Sequence, residues 1–302
     1  MGAMRHIATA LILTSLPACS AVAEPARPAP QLAPYFDCLR ERGEAVVSAH
    51  RAGPAAGLPE NALETMRATL DADPHAIVEL DIRRSADGVL FLLHDERLER
   101  TTTGRGTAGE LRWRALSRLR LKDDGGAVTR ARIPSLSDAL ELARERGAIA
   151  TLDVKRGVPF AEVVAAVRAA RAERHATIIT YNVEDAAEVA RLAPELMISI
   201  DAPSREALDR HRAAGIAVEQ MLAFTGTREP RLRWISALEE EGIEPIVGTL
   251  GRPGNRIDDR WLADGDASEF VELVRQGAVI IATDAPRAVA AVLPDPTCRI
   301  SP

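Results

Sequence analysis

The chain has 302 residues, 46% hydrophobic and 27% charged, with a formal charge of −6. That is an ordinary globular composition, large enough for one big domain or two small ones. Mild acidity, with no basic block and no aromatic–basic stripe, argues against a nucleic-acid partner, and aromatics at 3% leave the core to Ala, Val, Leu and Ile.

The first segment reads as a processing signal. Arg5 supplies a positive start, and Ile7 to Leu16 is an apolar run too short to span a bilayer. Ala21-Val22-Ala23 offers small residues for cleavage, so residues 1–23 are expected to be a signal peptide. The mature chain is then exported, periplasmic or secreted. Leu16-Pro17-Ala18-Cys19 also resembles a bacterial lipoprotein processing site, which would put a lipid anchor on Cys19. No later run is long and charge-free enough for a transmembrane segment. Residues 24–34 contain four prolines and suit a linker. In an oxidising compartment Cys38 and Cys298 could form a disulfide, and a closed barrel would bring the chain ends together. Two cysteines carry little pattern, so two free thiols remain an equal alternative.

From Ala45 onward, short apolar runs end in ionisable residues. Val46 to Arg51 is the first, and a Gly/Pro-rich loop leads to Pro59-Glu60-Asn61 and a helix through Leu70. Ile77 to Asp81 is the second. Ser85-Ala86-Asp87-Gly88 separates it from Val89 to Asp95, and four residues suit a hairpin but cannot make a parallel crossover. Residues 96–133 lose periodicity and read as an insertion over the sheet rim. Pro134-Ser135-Leu136-Ser137-Asp138 then caps a helix to Arg146, and the run Ala150 to Lys155 follows.

Beyond it, strands and helices alternate. Strands are expected at Thr177–Tyr181, Leu196–Ile200, Ala217–Phe224, Glu244–Leu250 and Ala278–Asp284, with amphipathic helices between them and after the last. With Val89–Asp95 set aside as a hairpin partner, eight runs remain. The expected fold is α/β, a (β/α)8 TIM barrel over residues 35–302 with a small insertion at about 96–133.

Sites in such barrels lie at the C-terminal ends of the strands, where these ionisable residues fall. Glu79 and Asp81 share a strand face and, with Asp153, make an oxygen cage suited to a hard divalent cation such as Ca²⁺ or Mg²⁺. His50 and His94 titrate near neutrality and are the candidate acid and base. Arg51 and Lys155 offer donors to a phosphodiester anion. His75, His175 and His211 fall in loops or helical stretches and read as surface residues, while Asp284 closes the last strand.

These motifs, in order, closely resemble the glycerophosphodiester phosphodiesterases: His50-Arg51, Pro59-Glu60-Asn61, Glu79-Leu80-Asp81, Asp87-Gly88, His94-Asp95, Arg100-Thr101-Thr102-Thr103-Gly104, Ile133-Pro134-Ser135-Leu136, Asp153-Val154-Lys155 and Thr283-Asp284-Ala285-Pro286. The resemblance implies the same barrel and insertion. It implies His50 and His94 as acid–base pair, Glu79 and Asp81 as metal ligands, and Arg51 and Lys155 facing phosphate. The implied reaction hydrolyses glycerophosphodiesters to glycerol 3-phosphate and an alcohol. Three departures stand out. Ala52 precedes Gly53 where the family has His-Arg-Gly, Asp153 replaces a Glu, and Ile246-Val247-Gly248-Thr249 lacks the usual aromatic-Thr-Val-Asn. The alternatives are a non-catalytic ligand-binding protein on the same barrel, or a diesterase for a different phospholipid-derived diester. A glycosidase pair fits poorly, because Glu79 and Asp81 are neighbours on one strand.

Overall fold

The computed structural model describes Met1 and residues 29–300. The expected signal peptide, its cleavage site and Cys19 lie outside these residues. Helix α1 (Ala33–Arg42) opens with Pro34 in its first turn and stops at Gly43, whose φ of 63° suits a residue without Cβ. Strand β1 (Val46–Ala49) follows, then α2 (Leu63–Ala72), β2 (Ile77–Arg84) and β3 (Leu90–Leu92). The insertion holds α3 (Trp113–Leu116), β4 (Arg120–Lys122) and β5 (Val128–Arg132). Helix α4 (Leu136–Arg146) starts at a Ser135/Asp138 capping box and leads into β6 (Ile149–Val154).

Alternation then continues through α5 (Phe160–Ala169), β7 (Ala176–Ile179), α6 (Val183–Leu192), β8 (Met197–Asp201) and α7 (Arg205–Ala213). It ends with β9 (Met221–Phe224), α8 (Leu232–Glu240), β10 (Glu244–Gly248), α9 (Ile257–Trp261), α10 (Ser268–Arg275), β11 (Ile280–Thr283) and α11 (Pro286–Ala290). Strands β1, β2, β6, β7, β8, β9, β10 and β11 pair in parallel, and β1 joins both β2 and β11, closing an eight-stranded barrel. The fold is a TIM barrel. The run ending at His94 is β3, an antiparallel partner of β2 on the barrel's outside, as the short Asp-Gly connection required.

Packing explains which end is open. Between barrel and helices lies an aliphatic layer that includes Val78, Leu80, Leu140, Leu152 and Ile198. Inside, the starts of the strands contribute Val46, Ile77, Ile149 and Met197, which pack against Leu32, just before α1, and Phe36 and Leu39 on it. That helix therefore covers the N-terminal end of the barrel and leaves the other end open. Cys38 on α1 is disulfide-bonded to Cys298, with Cα atoms 5.9 Å apart, so the C-terminal tail is strapped to this cover. The insertion has its own small core, including Phe91, Leu98, Leu121 and Ile133. No helix among the described residues is long and apolar enough to cross a membrane.

Two local expectations change. The strand expected over Ala217–Phe224 is shorter, because residues 218–220 form a helical turn whose Gln220 side chain donates to the Ala193 and Leu196 carbonyls. His211 is buried rather than on the surface. Its Nδ1 lies 2.9 Å from the Ala207 carbonyl one turn back, on the face of α7 that meets the barrel.

Candidate active site

Strand β1 ends in a strained turn. Arg51, Ala52 and Gly53 have φ of 51°, 69° and 81°, three successive residues in the left-handed region. Each non-glycine there costs about 1–2 kcal/mol, so other bonds must hold it. Arg51 N–H donates to Glu79 Oε2 (2.7 Å), and Thr69 Oγ1 donates to the Ala52 carbonyl (2.7 Å). A Cβ on Gly53 would come within 2.8 Å of Pro286 Cγ, so glycine is required at 53. The Ala52 methyl, in contrast, is fully buried in the core.

Asn61 sits at φ 56° with a buried side chain. Its Nδ2 donates to Asp81 Oδ2 (2.6 Å), and its Oδ1 accepts from Asp81 N–H (2.9 Å), so one side chain fixes both ends of Asp81. Glu79, Asp81 and Asp153 are all buried, with one carboxylate oxygen of each within 4.8 Å of the others. Asp153 Oδ2 accepts from Lys155 Nζ (2.5 Å) and from the Tyr181 hydroxyl (2.9 Å), whereas Asp153 Oδ1 is buried with no hydrogen bond. An orphaned carboxylate oxygen beside two further carboxylates is a donor set for a hard cation, and these residues fit a divalent metal ion.

Each histidine is fastened through Nδ1 to an aspartate. His50 lies 2.6 Å from Asp284, which also accepts from Gly251 N–H and pairs with Arg256. His94 lies 2.8 Å from Asp95, which Arg100 grips through two of its nitrogens (2.6 and 2.9 Å). Arg100 also makes paired bonds to Glu60 (2.8 and 2.9 Å), and Arg51 reaches the same carboxylate (3.0 Å). Arg83 donates to the Leu93 and His94 carbonyls and pins that loop. Two His–Asp–Arg chains result, and fixing each Nδ1 leaves Nε2 as the atom open to a substrate.

The charges follow from these contacts. Burial pushes the Glu79 carboxyl up, and the Asp81 charge adds to it. Burial also works against the Asp81 charge, but Lys155 and His94 more than offset it and hold its pKa low. His50 is desolvated too, yet its bond to Asp284 and the Glu79 charge raise its pKa. Asp284 is held down at about 2 by the His50 bond against its own burial. Lys155 is raised, because Asp81 and Asp153 outweigh its desolvation. Desolvation and the Asp153 charge raise Tyr181, so its hydroxyl stays a donor. A cavity of about 310 Å³ opens over this cluster, with His50, Glu79 and Asp153 on one wall and Leu222, Phe224 and Leu250 on the other.

The profile of the glycerophosphoryl diester phosphodiesterase family matches residues 50–286, from His50 to the first residue of α11. The chain belongs to this family. A glycerophosphodiester phosphodiesterase of Caldanaerobacter subterraneus subsp. tengcongensis is 26% identical over 245 residues, covering 77% of this chain and 98% of the relative. The crystal structure of a glycerophosphoryl diester phosphodiesterase from Parabacteroides distasonis is 31% identical, with a TM-score of 0.74 over 83% of this chain and 87% of that one. A glycerophosphodiester phosphodiesterase from Agrobacterium tumefaciens is 26% identical, with a TM-score of 0.64 over 82% of this chain and all of its own.

All seven residues singled out in the sequence lie at this rim. Of the two expected phosphate donors, Lys155 lies between the Asp81 and Asp153 carboxylates and Arg51 is bonded to Glu60. Asn61, Arg100 and Asp284 stand in the motifs that carry the resemblance, and Asp284 also closes the last strand beside the place where His50 ends the first, but none of them was given a role of its own; Tyr181 and Arg256 carried no signal in the sequence.

Proposed function

We propose that this chain is an exported, divalent-cation-dependent phosphodiesterase that hydrolyses glycerophosphodiesters to glycerol 3-phosphate and an alcohol. The observation that carries the reading is the pair of aspartate-fastened histidines placed around a buried three-carboxylate cluster. Family relatives named as glycerophosphodiester phosphodiesterases support the substrate. Glu79, Asp81 and Asp153 would hold the cation, Ca²⁺ or Mg²⁺, which supplies neutralisation of phosphate oxygens and of charge developing in the transition state.

In this reading, Asp284 and Asp95 hold His50 and His94 with Nε2 toward the substrate, so one ring withdraws a proton from the substrate's neighbouring hydroxyl as it bonds to phosphorus and the other protonates the alcohol as its P–O bond breaks; with the roles reversed, water then opens the cyclic phosphate to glycerol 3-phosphate. Arg51, held by Glu60, and Lys155, between Asp81 and Asp153, would supply positive charge to the diester anion. The apolar wall of Leu222, Phe224 and Leu250 excludes water from the alcohol side. The disulfide supports export, because such bonds persist in oxidising compartments.

Replacement of His50 or His94 by Ala tests the assignment. Each should lower kcat on glycerophosphocholine by about 10²–10⁴-fold while thermal stabilisation by added Ca²⁺ or Mg²⁺ persists. Near-wild-type turnover in either variant would remove that histidine from the chemistry.

A further inference from the structure

The insertion carries a charge pattern unlike the rest of the chain. Residues 96–133 contain ten basic and five acidic side chains, a net +5 in a chain of −6 overall, which leaves −11 for the remainder. No run of sequence shows this as a basic block. The hairpin of β4 and β5 assembles it, because alternate residues share one face.

On that hairpin Arg120 lies directly opposite Arg132, and Arg130 is two residues along the same face. Arg118 adjoins them, its carbonyl accepting from Arg132 Nη1 at 3.3 Å. All four are exposed, whereas Leu121 and Ala131 on the other face are buried. None of the four has an acidic partner among the described residues. Like charges directly opposite in a ladder are destabilising, so nothing within the fold accounts for this choice of residues. Beside them at the start of β5, Val128 is 54% exposed, one of the few large apolar side chains left in water among the described residues.

We propose that this hairpin face docks on a bilayer surface rich in anionic phospholipid. Guanidinium groups pair bidentately with lipid phosphates, and the protruding Val128 suits the headgroup boundary. A long polyanion such as DNA would also meet the −11 of the rest of the chain, whereas a flat surface need touch only the hairpin. The hairpin is tied to the mouth of the barrel. Asp123 at its turn accepts from Gly57 N–H (2.9 Å), and Lys122 Nζ donates to the Glu99 carbonyl (2.8 Å), one residue before the Arg100 that holds Asp95 and Glu60. Docking here would therefore bring the barrel mouth close to the lipid surface.

The test is co-sedimentation of the full chain with phosphatidylglycerol/phosphatidylcholine vesicles and with pure phosphatidylcholine vesicles, at low and high salt. Two variants are compared, one with Arg118, Arg120, Arg130 and Arg132 all changed to Gln and one with all four changed to Lys. Circular dichroism and Tm establish that each is folded. The expected result is salt-sensitive binding to anionic vesicles only, weakened on the order of 10²–10³-fold by the Gln variant and largely kept by the Lys variant. Equal binding to neutral vesicles, undiminished binding by a folded Gln variant, or retention on DNA but not on vesicles would each overturn the proposal. Should the Gln variant fail to fold, the single change Arg130→Glu gives the same reading. None of these readouts requires diesterase activity, so the proposal can fail while the catalytic reading stands.

Discussion

Asn61→Ala tests how the site is held. In the native protein one buried amide makes two bonds to Asp81, of which the 2.6 Å bond goes to a charged carboxylate. A hydrogen bond to a charged group contributes about 1.5–3 kcal/mol and a neutral one about 0.5–1.5 kcal/mol. Alanine must also adopt the φ of 56° that asparagine tolerates, at a further cost of about 1 kcal/mol. Together these predict a loss of about 3–5 kcal/mol. At about 2 °C per kcal/mol for a domain of this size, Tm should fall by about 6–10 °C in calorimetry. Asn61→Gly removes the same bonds but relieves the backbone, so it should be less harmful than Ala by about 1 kcal/mol. Because Asp81 loses its holder, cation affinity read from a thermal-shift titration should weaken by about 10–100-fold in both variants. Native Tm and native cation affinity in Asn61→Ala would refute the claim that this side chain organises Asp81.

Gly53→Ala should destabilise by about 2–5 kcal/mol in urea unfolding, combining a positive φ with a 2.8 Å contact to Pro286, and an unchanged midpoint would contradict the packing described. Cys298→Ser opens a bridge between residues 260 apart and should lower stability by about 2–5 kcal/mol. Reducing agent should then shift the wild-type unfolding midpoint but not that of the variant. Asp284→Asn probes the His50 chain through pH. The Asp284 carboxyl, held at about 2, contributes about 2 kcal/mol that is present above its ordinary value near 4 and lost as pH falls toward 2. His50 is raised, so its contribution is complete below about 6.5 and lost as pH rises through its folded value. The wild-type advantage over Asp284→Asn should therefore peak between about pH 4 and about pH 6.5, shrinking below that window and, above it, as pH rises through the raised His50 value. An advantage independent of pH would rule out the ion pair as its source.

The barrel was legible because its signals are local. Apolar runs of strand length breaking into charge marked Glu79, Asp81, Asp153 and Lys155, and a four-residue Asp-Gly connection was enough to set β3 apart from the barrel. What stayed hidden depends on residues brought together from a distance. The fastening of His50 requires Asp284, 234 residues away, and that of Asp81 requires an asparagine in a loop 20 residues earlier. Arg100 looked like part of an irregular insertion, yet it links Glu60 to Asp95. The basic face was invisible for the same reason, since its arginines alternate with buried Leu121 and Ala131 on two short strands. Helix α1 was missed because its neighbouring prolines read as linker, although Leu32, Phe36 and Leu39 are what close the base of the barrel.

The central claim is that the buried carboxylates and the two fastened histidines form a cation-dependent diesterase centre. Phosphorus NMR of glycerophosphocholine incubated with metal-stripped protein tests it most directly. The diester signal should persist with chelator present and convert to the glycerol 3-phosphate signal once Ca²⁺ or Mg²⁺ is restored. Conversion at full rate in chelator, or an intact diester with either cation in excess, would contradict it.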